Sequence, residues 1–132
     1  MKTTGIFAAT VLIVGCGLAL HVAQAQAPGI TRTELLRHDV GIRGREAIQV
    51  RVDFDPGAAS GKHAHPGEEL AYVLQGSLEY QIQGRPPITL NAGDALFIPA
   101  QTIHAARNVG SGKAAELATY FVEKGKPLVV AK

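Results

Sequence analysis

From Ile48 to Phe54 apolar and polar residues alternate strictly, with Ile48, Val50, Val52 and Phe54 on one side and Gln49, Arg51 and Asp53 on the other. A period of two belongs to an extended strand with one face buried, and Asp55-Pro56-Gly57 ends it as a turn. The same reading predicts strands over residues 69–74 and 77–83. Gln75-Gly76 joins them as a tight hairpin in which Gly76 supplies the positive φ. A Pro-rich turn at 84–87 precedes a short strand over 88–90, a turn at Asn91-Ala92-Gly93-Asp94 and an apolar run over 95–98 that Pro99 breaks. A strand over 104–108, a loop at Gly110-Ser111-Gly112 and a longer strand over 114–123 complete the series. Residues 32–37 alone lack this period and read as a short helix or an N-terminal arm. Many short strands separated by Gly and Pro turns predict an all-β sandwich or barrel.

The amino terminus follows neither period. Residues 6–20 are nearly all apolar behind a single basic residue, Lys2, and Ala23-Gln24-Ala25 follows them. This is the layout of a secretory signal peptide over residues 1–25, cut after Ala25, or by the same rule after Ala27. An N-terminal arm over 26–40 and a barrel over 41–132 then make up the exported protein, which is expected in the periplasm or outside the cell. The apolar run is shorter than the roughly 20 residues a spanning helix needs, so no stable membrane insertion is expected after cleavage. Ile13-Val14-Gly15-Cys16 also resembles a lipobox, and a lipoprotein anchored at Cys16 is the alternative. Against it, the chain after Cys16 stays apolar.

Composition matters only after that segment is set aside, because it inflates the 46% hydrophobic fraction. Cleavage removes the one cysteine, so no disulfide can form. It also removes one of 13 basic residues and none of 11 acids, lowering the net charge from +2 to +1. No basic face for nucleic acid is implied. A chain of 132 residues allows one domain of ordinary size, so a single core must carry any chemistry.

Of five histidines, His21 leaves with the signal segment and His38 reads as a solvated surface residue. His63 and His65 are two apart and face one side of an extended chain, and Glu69 can join them after the Pro66-Gly67 bend. Alternation turns the neighbouring Glu68 the other way. Imidazoles with a carboxylate suit a divalent ion such as iron, manganese, nickel, copper or zinc. His104 is too distant in sequence for spacing to bring it into this cluster; only the fold can. There is no H-E-x-x-H, G-x-S-x-G or P-loop, so protease, esterase and nucleotide-binding readings have no motif to rest on.

Gly57, His63, His65, Glu69 and Gly76 reproduce without a gap the pattern G-x5-H-x-H-x3-E-x6-G. Gly93, Pro99, His104 and Asn108 follow G-x5-P-x-G-x2-H-x3-N, except that Gln101 replaces the middle glycine. In both respects the chain resembles the cupins. The resemblance implies a jelly-roll, double-stranded β-helix barrel in which His63, His65, Glu69 and His104 bind one divalent metal ion. It also implies a small-molecule ligand or substrate. Two functions follow: a metal-dependent dioxygenase or isomerase acting on a small phenolic or enolic compound, or a non-catalytic metal or ligand binder of the cell envelope. The sequence shows no clear general base.

Tyr72, Tyr80, Phe97, Tyr120, Phe121 and Arg107 are the candidates to line or cap the cavity, with most of the aromatics expected to be core packing. If Glu69 points inward, Leu70, Tyr72 and Leu74 form an apolar row on the outer face. That row predicts either a homodimer or a cover formed by the N-terminal arm.

Overall fold

The computed structural model describes residues 27–132. The apolar segment, its Ala25 cleavage position and Cys16 lie outside the described residues. Ten strands follow in chain order: β1 (Ile30–Asp39), β2 (Arg45–Phe54), β3 (His63–Ala64), β4 (Glu68–Gln75), β5 (Ser77–Ile82), β6 (Ile88–Asn91), β7 (Ala95–Ile98), β8 (His104–Asn108), β9 (Ala114–Glu123) and β10 (Val130–Ala131). They form two five-stranded antiparallel sheets, ordered β1-β2-β9-β4-β7 and β10-β3-β8-β5-β6. The fold is all-β, a jelly roll whose two sheets face each other across one core.

Alternation decides which side chains fill it. Along β2, Ile48, Val50, Val52 and Phe54 are buried while the residues between them are half-buried. Opposite them on β9, Ala114, Glu116, Ala118, Tyr120 and Val122 point inward through the pairs Phe54 with Ala114, Val52 with Glu116, Val50 with Ala118 and Ile48 with Tyr120. The second sheet contributes Leu78, Tyr80 and Ile82 from β5 and Ala106 from β8. Burial of each large side chain contributes about 1.5–3 kcal/mol.

Two expectations change. Gly76 has a positive φ of 73°, but it does not turn a hairpin. β4 pairs with β7 and β9 in one sheet, and β5 pairs with β6 and β8 in the other. The chain crosses between sheets at Gly76, where a Cβ would lie 2.8 Å from the Lys113 carbonyl oxygen. A two-residue link between alternating segments looks the same in sequence whether the strands pair or part, because alternation fixes faces and not partners.

Residues 32–37 are strand, not helix. β1 runs antiparallel to β2, with a register shift between Glu34 and Leu36. Arg37 ties its far half down through Glu34 at 2.8 Å and Glu46 at 2.6 Å. Pairing with β2 outweighs the missing period. His38 is exposed on this strand.

The same topology answers the question of the arm. β1 lies at the opposite edge from β4 and β7, so among the described residues it does not cover the outer face of β4. Leu70, Tyr72 and Leu74 remain 46%, 44% and 38% exposed.

Candidate metal centre

Short strands and one bend bring the chemistry together. β3 is only two residues long, and its His63 pairs with His104 at the start of β8. Glu69 follows the Pro66-Gly67 bend and pairs with Tyr120 on β9. Gly67 is required there, since a Cβ would fall 1.9 Å from the Phe121 carbonyl oxygen. His63, His65, Glu69 and His104 are all buried in the barrel. Glu68 faces out and pairs with Arg45 at 3.1 Å.

One nitrogen from each of the three imidazoles lies within 4.8 Å of the others. The ring centroids are 4.9 Å apart for His63 and His65, 4.3 Å for His63 and His104, and 5.1 Å for His65 and His104. Glu69 Oε2 lies 3.1 Å from His65 Nε2 and 3.2 Å from His104 Nε2.

The outer nitrogens fix the tautomers. Nδ1 of His63 contacts the Gly61 carbonyl at 3.1 Å, Nδ1 of His65 the Leu128 carbonyl at 2.7 Å, and Nδ1 of His104 the Thr102 carbonyl at 2.9 Å. A carbonyl only accepts, so Nδ1 carries the proton in each ring. The neutral imidazole then presents a bare Nε2 lone pair. His65 Nε2 and Glu69 Oε2 are buried without a hydrogen-bond partner. Buried orphaned acceptors are costly unless a cation satisfies them, and the cluster of three buried histidines suits a metal ion.

The electrostatics favour a neutral imidazole at His63 and an ionised carboxylate at Glu69, and draw His104 the other way. Burial pushes the His63 pKa down to about 4, and the neighbouring His104 adds to that shift. Burial also raises Glu69, but His104 and His65 outweigh it and hold the carboxyl at about 2. His104 is raised despite its burial, because the Glu69 carboxylate favours its charged form. Three nitrogens and an ionised carboxylate therefore converge on one point.

The turn before His104 keeps its shape despite the missing glycine. Gln101 adopts φ 60°, and it is the one non-glycine with positive φ among the described residues. Its N–H donates to the His65 carbonyl at 2.9 Å, which ties the segments that carry His65 and His104 together. Asn108 has a structural role. Its amide donates to the Phe54, Asp55 and Gly112 carbonyls at 3.3, 3.1 and 2.8 Å, and its side-chain oxygen accepts the Gly110 N–H at 2.9 Å.

Beside the three histidines and Glu69 lies a polar group that the sequence pattern did not single out. Tyr80 donates a hydrogen bond to Glu116, which is 6% exposed. Burial, reinforced by the charge of Glu69, lifts the Glu116 carboxyl to about 7. Arg32, Tyr120, His63, Glu69 and His104 border the same enclosed cavity, whose volume is about 10 Å³. That is room for one ion or one water. A signal for Glu116 was present: a lone carboxylate among the inward positions of β9, between Ala114 and Ala118. Of the expected lining residues, Tyr80 and Tyr120 are in place. Tyr72, Phe97, Phe121 and Arg107 sit on outer faces instead, because their register places them opposite the inward set.

Comparison with known proteins agrees with this picture. Dimethylsulfoniopropionate lyase DddQ of Ruegeria pomeroyi is 42% identical over 45 residues, covering 34% of this chain and 22% of the lyase. Germin-like protein 1-1 of Oryza sativa subsp. japonica is 29% identical over 85 residues, covering 61% of this chain and 39% of that protein. The chain thus spans less than half of either curated relative. The structure of recombinant oxalate oxidase in complex with glycolate is 29% identical and superposes with a TM-score of 0.64, covering 78% of this chain and 55% of that one. The family model for the cupin domain matches residues 50–122, from the middle of β2 to near the end of β9. This chain belongs to the cupin family.

Proposed function

We propose that the chain is an exported metalloprotein in which His63, His65, Glu69 and His104 hold one divalent ion, and that it is a metal-dependent dioxygenase or isomerase of small oxygenated compounds. The metal rests on one observation above all: His65 Nε2 and Glu69 Oε2 face each other at 3.1 Å, both buried and both without a hydrogen-bond partner. Iron, manganese, nickel, copper or zinc matches the donor set. Bound there, the ion would supply a Lewis-acidic centre for oxygen donors.

The protein's own residues supply the rest. Carbonyls of Gly61, Leu128 and Thr102 orient the imidazoles. Tyr80 orients Glu116, whose carboxyl, with its pKa near neutrality, can hold or release a proton at the cavity wall. Two clefts of about 340 and 360 Å³ approach the histidines from outside, one bordered by His104 and the other by His65. Lys62, Lys126 and Lys132 line them and no Asp or Glu side chain does, which favours an anionic compound such as a phenolate or enolate. The enzymatic names of the relatives, a lyase and an oxidase seen with glycolate, support catalysis on a small oxygenated molecule.

The test is elemental analysis of protein purified from its native compartment, followed by oxygen uptake and isomerisation assays with catechols, flavonols and diketones. Stoichiometric metal with turnover of one class is expected. Absence of metal would overturn the reading. A second reading, a non-catalytic metal or ligand binder, is favoured by the cavity of about 10 Å³, which admits no organic substrate as it stands. It requires stoichiometric metal and no turnover.

A further inference from the structure

The three imidazoles are not held in the same way. Gly61 and Thr102, which accept from His63 and His104, each lie two residues before the histidine they orient. His65 depends instead on Leu128, 63 residues further along the chain. The segment around Leu128 is also the main backbone partner of β3. β10 pairs with β3 through Val130 with Ala64 and Ala131 with His63, and the Lys132 N–H reaches the Lys62 carbonyl at 3.0 Å. On its other side β3 has one register pair, His63 with His104, besides the Gln101 bond to the His65 carbonyl.

The seat of this segment is shallow. Leu128 packs half-buried on the core, while Val130, Ala131 and Lys132 are exposed. Lys132 borders both clefts, with Lys62, Gln81 and His104 around one and Ala64, His65 and Lys126 around the other. Gln83 and Ile103 border both clefts too, so the two meet along a seam that includes Lys132. A weakly seated strand that holds a buried site is a two-state element, and whatever favours the finished site favours the seated strand.

We propose that the carboxy-terminal segment, residues 128–132, is a part of the metal centre that docks and undocks: its Leu128 carbonyl positions His65 as a ligand, and metal binding and strand docking promote each other. Leu128 is a positioning residue, acting through its backbone oxygen. Undocking would release the His65 tautomer, loosen β3 and widen the two clefts beside His104 and His65. The inference rests on the metal reading above for its coupling, but not for the tautomer.

Zinc affinity by chelator competition, amide exchange and ring nitrogen-15 NMR test it together. A chain ending at Gly125 is expected to bind Zn²⁺ about 10–100-fold more weakly than the full chain, the loss typical when a group orienting a ligand is removed. In the full chain, saturating Zn²⁺ is expected to slow amide exchange at residues 128–132. Metal-free full-length protein is expected to show His65 protonated at Nδ1, and the shortened chain a mixture of tautomers. Equal affinities, or exchange at 128–132 that ignores Zn²⁺, would overturn the coupling. If the shortened chain does not fold, exchange in the full chain decides. If the full chain binds no Zn²⁺, iron, manganese, nickel or copper, the metal reading fails. The tautomer then still judges the positioning role, with Nε2–H on His65 counting against it.

Discussion

At His104 an alanine would remove an imidazole whose Nε2 lies 3.2 Å from Glu69 and leave that buried carboxylate with less to offset its charge. A loss of metal affinity of about 100-fold or more is expected, beyond the effect of removing a group that only orients a ligand. Unchanged affinity in a competition titration would take His104 out of the ligand set. Gln101→Gly should act in the opposite sense on stability. A side chain at φ 60° costs about 1–2 kcal/mol, partly offset by the freedom glycine gains in the unfolded chain. Denaturant titration should show the variant more stable by about 0.5–1 kcal/mol. Glu116 carries part of the pH dependence. Its carboxyl is raised from 4.5 to about 7, so the folded state holds a proton that the unfolded chain releases. Its contribution is complete below pH 4.5 and disappears as pH rises through 7. His63 has the opposite slope, since its neutral form is favoured and stability falls as pH drops from 6.5 towards 4. In chelated protein, the stability of Glu116→Gln relative to the parent should rise as pH increases from 4.5 to 7. A flat difference would refute this account. The spacing of His63, His65 and Glu69 was legible because a motif repeats in the sequence what the strand period dictates. The conformation of Gln101 was not, because backbone angles follow residue type only loosely once glycine is gone.

β4 enters its sheet against the Phe121 carbonyl at Gly67, a contact that leaves no room for a methyl group. Gly67→Ala should push β4 away from β9, where Glu69 pairs with Tyr120. A loss of about 1–3 kcal/mol in thermal unfolding is expected, together with weaker metal binding. If stability fell with affinity untouched, the bend would matter to the sheet alone. Strand existence was well announced: β2, β4 and β5 each bury alternate residues and β9 does so from Glu116 onward, and alternation is local information. Partnership was not, as the crossing at Gly76 shows. Its positive φ was foreseeable from the glycine, but the separation of β4 and β5 into different sheets depends on β7, β8 and β9, which come later in the chain. β3 and β10, two residues each, are too short to leave any period. β1 shows the converse, a strand made by its neighbour and its ion pairs.

Across the whole molecule, one outer face is unusually apolar. Leu70 pairs with Phe97, and beside them stand Tyr72, Leu74 and Phe121, all more than a third exposed. Contiguous apolar surface of this kind favours self-association. Sedimentation is expected to show a concentration-dependent dimer, and Tyr72→Glu a monomer with its metal retained. A parent protein that stays monomeric at every concentration would reject the dimer. The centre itself spans much of the fold. Its first orienting carbonyl belongs to Gly61 and its last to Leu128; between them His63, Glu69 and His104 sit on strands of both sheets, with His65 just past the end of β3. A chain that lacks residues 126–132 lacks the carbonyl that orients His65. Under the export reading, a chain that crosses the membrane before folding crosses it empty, and takes up its ion where the last strand closes. Imidazole and carboxylate accept several first-row metals. The compartment in which folding ends would then select the metal, before any preference of the ligands could act.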